Sequence, residues 1–196
     1  MIDSIVTKEG KKPILILFII FLVLIVIDCE ILAFLSFVAL LSLIYIFRFK
    51  YVDINSLMDN GIYAPISGTI SSIDSDGFKK TITIDVGLKD LHILRSPDTS
   101  KVKVIQKRGI NLPLGTYKAN KLNEKAIIQY DNMGMELISS LCNPSIQIEK
   151  KPTFKKGEKI GIFIHGKVII ALNKEMKTDL KIGQKLISGQ TLIAQY

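Results

Sequence analysis

Residues Phe154 to Lys177 read FKKGEKIGIFIHGKVIIALNKEMK. Two alternating apolar runs, Ile160–Ile164 and Lys167–Leu172, lie on either side of His165-Gly166. Alternation with period two marks a strand with one buried face. The stretch therefore predicts two strands with a glycine turn between them. It also contains no Ser, Thr or Cys. Chemistry that starts from a side-chain hydroxyl or thiol has nothing to start from here.

Working outward, the chain from Tyr51 onward repeats this pattern of short runs and turns. Ile62–Ile73 reads as a strand with Pro65 and Gly68 near its start, and Asp74-Ser75-Asp76-Gly77 as a turn. Thr81–Val86 alternates strictly through Ile82, Ile84 and Val86. Leu91–Leu94 and Val102–Ile105 are further short strands. Ala126–Tyr130 and Met135–Ser139 flank an Asn132-Met133-Gly134 turn, a hairpin signal. Gly115–Leu122 is loop or short helix, and Thr191–Gln195 is a closing strand. Residues 51–196 thus predict a mainly-β domain, barrel or sandwich.

Residues 1–50 are of another kind. Pro13–Ile27 and Ile31–Phe47 are apolar runs separated by Asp28-Cys29-Glu30. One continuous helix would hold two carboxylates at a bilayer centre, which costs several kcal/mol. A membrane hairpin of two helices, about 13–27 and 31–48, avoids this. Lys8, Lys11 and Lys12 precede the first run, and Arg48 and Lys50 follow the second. Both ends then belong on the cytoplasmic side of an inner membrane. The first run is short for a span of about 20 residues, so a re-entrant hairpin also fits. A cleaved signal peptide does not: no small-residue cleavage site stands near Asp28.

Net charge is +8. Five of the 26 basic and four of the 18 acidic residues precede Tyr51, which leaves the remainder at +7. A tethered basic domain meets anionic lipid headgroups first. Aromatics do not interleave with the basic residues as a nucleic-acid platform requires, so nucleic acid is not expected. Cys29 and Cys142, with two histidines, form neither a disulfide framework nor a metal site. No phosphate-binding glycine loop and no H-E-x-x-H is present.

Ala64–Ile70 (APISGTI) and Lys181–Ala194 (KIGQKLISGQTLIA) look like the two halves of a hammerhead, as in biotinyl and lipoyl carriers. In a carrier, a hairpin with the modified lysine follows the second half. Here Glu175-Met176-Lys177 precedes it, which excludes that role.

The order of motifs resembles the short bacterial phosphatidylserine decarboxylases. The apolar hairpin is followed by Phe47-Arg48. Pro65-Ile66-Ser67-Gly68 stands where the family has Pro-Ala-Asp-Gly, and Leu91-His92-Ile93-Leu94-Arg95-Ser96-Pro97 resembles its His, Arg and Pro run. Asn123-Glu124-Lys125 resembles Asn-Glu-Arg. The resemblance implies a membrane α-hairpin plus a mainly-β domain of hammerhead or barrel type. It also implies an enzyme of phospholipid metabolism that cuts itself at a Gly-Ser bond. The serine becomes a pyruvoyl group, the cofactor that serves as electron sink for loss of carbon dioxide. An Asp-His pair supports the cleavage.

Two of the three positions have changed. The Asp position is Ser67, and the Gly-Ser bond aligns with Gly166-Lys167. A lysine has no β-hydroxyl, so the expected cofactor is none. His92 is the remnant catalytic residue and Arg95 the candidate substrate contact. The expectation is a degenerate family member that binds lipid or pairs with an active relative as homo- or hetero-dimer. Two alternatives stand beside it: an active decarboxylase with a variant site, and a membrane-anchored adaptor without lipid chemistry.

Overall fold

The structure, a computed structural model, describes residues 6–143 and 145–196. The first five residues of the expected N-terminal segment lie outside that set. The chain forms two compact units, residues 1–51 and 52–196.

The first unit is a helical hairpin of α1 (Lys8–Val26) and α2 (Glu30–Ile46). The reversal falls at Asp28, with φ 60°. Aspartate tolerates this left-handed conformation better than the β-branched residues around it. Val6 bridges to Arg48, and Thr7 N–H donates to Phe47 O at 2.9 Å, closing the open end. Gly10 allows this closure, since a Cβ there would meet Phe47 Cβ at 2.4 Å. Ala33, Ser36 and Leu40 of α2 are buried, and the Phe21 and Phe37 rings lie 5.6 Å apart. Most other apolar side chains are exposed, among them Ile16, Ile19, Val23, Ile31, Phe34 and Leu35.

No described helix is long and apolar enough to cross a membrane. This corrects the expectation of two spanning helices at 13–27 and 31–48. The physical reason is length. At 1.5 Å per residue, the 17 residues of α2 reach about 25 Å, short of a hydrocarbon core of about 30 Å. The 19 residues of α1 begin with the charged Lys8, Glu9, Lys11 and Lys12.

The second unit is β-rich. Its elements are β1 (Gly61–Tyr63), β2 (Gly68–Ser75), β3 (Lys79–Val86), β4 (Ile93–Arg95), β5 (Ser100–Lys101), β6 (Lys103–Lys107), α3 (Tyr117–Leu122), β7 (Lys125–Gln129), β8 (Met133–Ser139), β9 (Gln147–Ile148), β10 (Thr153–Phe154), β11 (Lys159–Ile162), β12 (Gly166–Asn173), β13 (Lys185–Leu186) and β14 (Leu192–Gln195). A seven-stranded antiparallel sheet runs in the order β13-β2-β3-β12-β8-β7-β6. Smaller sheets, β1-β14, β5-β10 and β4-β11-β9, complete the domain.

The quoted stretch supplies the centre. On β12, Val168, Ile170 and Leu172 are buried. Val168 lies between Ile84 and Leu137, and Ile170 between Ile82 and Met135. Each such side chain contributes about 1.5–3 kcal/mol when fully buried. The expected strand Ile62–Ile73 is instead two. Proline has no N–H for a ladder. At Pro65 the chain leaves β14 and crosses to the large sheet, which it enters at Gly68. The segments resembling hammerhead halves meet there, Lys185 opposite Thr69 and Leu186 opposite Gly68.

Candidate functional site

One end of the large sheet gathers the positions singled out in the sequence. Gly166 opens β12, with Val86 of β3 on one side and Ser139 of β8 on the other. Its φ is 151°, and a Cβ would meet Ile138 O at 2.2 Å and Phe163 Cζ at 2.6 Å. Only glycine fits. His92 is buried, and its Nε2 lies 3.1 Å from Gly87 O, one residue beyond Val86. Its carbonyl accepts from Phe163 N–H at 3.0 Å, which ties it to the approach to β12.

Ser67 is also buried beside the start of β2. Its Oγ accepts from Ser188 N–H at 2.9 Å, and Ser188 Oγ lies 2.9 Å from Ile93 O and 3.1 Å from Pro65 O. Ser188 thus joins the Ser67 turn to the residue after His92. Arg95 is turned inward. Its Nη1 donates to Gly157 O at 2.9 Å, its N–H donates to Pro65 O at 2.7 Å, and burial lowers its pKa.

Lys167 follows Gly166 on the opposite face of the sheet from Val168. Its Nζ is 3.8 Å from Asp85 Oδ1 on the neighbouring strand. Both side chains are partly exposed, so the pair adds little stability.

Sequence reading missed the polar brace around this end, because its members are scattered. Ser139 Oγ hydrogen-bonds to Asn111 Oδ1 and lies 3.1 Å from Glu124 O. Asn111 Nδ2 donates to Asn143 O at 2.6 Å, and Asn123 Nδ2 donates to Ser139 O at 2.7 Å. Glu124 accepts from Ser145 Oγ at 2.9 Å and Ile146 N–H at 3.1 Å. Asn123-Glu124-Lys125 therefore acts as a structural staple; the signal was there in the motif, but not its partners.

Ser139 is a hydroxyl opposite Gly166, on the neighbouring strand. Pyruvoyl formation rearranges the peptide bond preceding the hydroxyl-bearing residue itself. A serine on the next strand leaves the bond between Gly166 and Lys167 untouched.

A cavity of about 620 Å³ lies elsewhere, lined by Asp59, Asp98, Asn132, Lys155, Lys156 and Tyr196 among others. The turn that carries Asn132 joins β7 to β8 at the end of the sheet away from Gly166. Lys156 Nζ donates there to Met58 O at 2.9 Å and Asp59 O at 2.6 Å, and lies 3.4 Å from Asp98.

The family model "Phosphatidylserine decarboxylase" matches residues 54–194. The chain belongs to the phosphatidylserine decarboxylase family. The chain is also 27% identical over 220 residues to the phosphatidylserine decarboxylase proenzyme of Pelagibacter ubique (strain HTCC1062), covering 100% of both chains. No solved structure matches it. In this decarboxylase-family chain the residue after the tightly enclosed Gly166 is Lys167, whose ammonium lies toward Asp85.

Proposed function

We propose that this chain is a family member that does not process itself. It acts at a membrane by binding lipid or by pairing with an active relative. One observation carries the reading: Lys167 occupies the position after Gly166, and no Ser, Thr or Cys lies between Thr153 and Thr178. The residues present do not suit a pyruvoyl group.

The reading puts the hairpin in the inner (cytoplasmic) membrane as a re-entrant element with both ends cytoplasmic. Its exposed apolar side chains support this, as do the satisfied hydroxyls of α2: Ser36 Oγ donates to Ala33 O at 2.8 Å and Ser42 Oγ to Val38 O at 2.9 Å. Unpaired hydroxyls would be costly in lipid. The basic domain then meets anionic headgroups.

Intact mass of the purified chain tests the first claim. A single species at 21.9 kDa is expected. Two fragments, or a carbonyl that reacts with borohydride, overturn it. The second reading, an active decarboxylase with a variant site, draws on the full-length similarity to a protein named as the proenzyme. It requires ethanolamine lipid to form from serine lipid in a membrane preparation. The third, a hammerhead-barrel adaptor, requires no preference for anionic lipid.

A further inference from the structure

From Thr99 to Asn123 the chain carries six basic residues and no acidic one. Its central part, residues 107–122, forms a folded lobe on the Gly166 end of the sheet. Ile110 N–H donates to Leu122 O at 2.9 Å, and Leu112 N–H donates to Asn123 Oδ1 at 2.9 Å. Gly109 permits the close approach, since a Cβ would meet Leu122 O at 2.1 Å. Thr116 Oγ1 caps α3 by accepting from Ala119 N–H at 3.1 Å.

The lobe presents an unusual surface. Ile110 is 57%, Tyr117 73% and Leu122 48% exposed, while Ala119 is fully buried. On a helix, Tyr117, Lys118, Lys121 and Leu122 share one arc, with Ala119 on the other. Lys121 Nζ lies 4.6 Å above the Tyr117 ring. Lys107, Arg108, Lys118 and Lys121 have no carboxylate within ion-pair distance among the described residues.

Exposed aliphatic and aromatic side chains among uncompensated cations suit the interface of an anionic bilayer. Aliphatic Ile110 and Leu122 offer a nucleic acid no stacking face. We propose that the 107–122 lobe docks the β domain on anionic lipid, turning the sheet end that holds Gly166, Ser67 and His92 toward the headgroups. This rests on the membrane reading above. It adds which face of the domain does the work.

The test uses the full chain, with Cys29→Ser and Cys142→Ser, in vesicles of phosphatidylcholine with and without phosphatidylglycerol. An environment-sensitive dye is placed at Tyr117→Cys, at Phe78→Cys on the far end of the sheet, or at Leu35→Cys in α2. The dye at 117 is expected to blue-shift and to escape an aqueous quencher on anionic vesicles at low salt alone. The dye at 78 is expected to stay quenched. Each basic residue contributes about 1 kcal/mol near such a surface, so each replacement of Lys107, Arg108, Lys118 or Lys121 by Gln is expected to lower the docking equilibrium constant about five-fold. A dye at 117 that is equally quenched on both vesicles, while the dye at 35 is protected, overturns the proposal alone. A dye at 35 that stays quenched overturns the membrane reading, and the proposal with it.

Discussion

Gly166→Ala separates the demands of the fold from those of self-cleavage. The new methyl would stand 2.2 Å from Ile138 O and 2.6 Å from Phe163 Cζ. The neighbouring atom in the first contact is backbone, so relief means moving β8 away from β12. Overpacking of this kind costs about 1–3 kcal/mol. The φ of 151° adds about 1–3 kcal/mol, because that region is nearly reserved for glycine. Together they come to about 4 kcal/mol, a large part of a domain's usual 5–15 kcal/mol. With a urea slope of about 2 kcal/mol/M, the unfolding midpoint drops by about 2 M with the slope unchanged. Denaturation of the full chain, followed by circular dichroism, measures it. An unchanged midpoint would refute the claim that only glycine fits here.

The remaining expectations are smaller experiments. Lys167→Ser places a hydroxyl after Gly166 and removes only a partly exposed ion pair. Stability should change by less than about 1 kcal/mol, and intact mass should still show one chain, because Ser67 supplies no carboxylate. Lys156→Met leaves Asp98 and the carbonyls of Met58 and Asp59 without their buried cation, at a cost of about 3 kcal/mol read as a lower urea midpoint. Burial pushes the Tyr130 phenol up to about 12, against an ordinary 10. The folded state then holds its proton more tightly than the unfolded state. Stability from this group is complete below pH 10 and is lost as pH rises through 12. Tyr130→Phe should flatten that part of the pH-stability curve.

The central strands were legible because Val168, Ile170 and Leu172 alternate with outward residues, as do Ile82, Ile84 and Val86. Their partnership was not legible. β12 pairs with β3 some 80 residues earlier in the chain, and no local pattern specifies that choice. The two apolar helices were visible from composition, but their ends were not. The first begins at Lys8 because nothing in Lys8-Glu9-Gly10-Lys11-Lys12 stops a helix, and the resulting charged turns take length from the apolar part. Pro65 was noted near the start of a strand, yet its effect, a change of sheet, needs the position of β14. At the site, Ser67 and Lys167, where the resemblance expects Asp and Ser, could be read directly. The Ser139–Asn111–Asn143 brace could not, since its members are joined only by folding.

The strand β6 bounds the large sheet, and among the described residues no strand of that sheet lies beside its outer row of peptide groups. Such a border invites a second molecule to extend the array, the first step toward fibrils. Here Lys103 and Lys107 stand along it. Two copies aligned border to border would crowd ammonium against ammonium, so the strand guards itself against endless stacking.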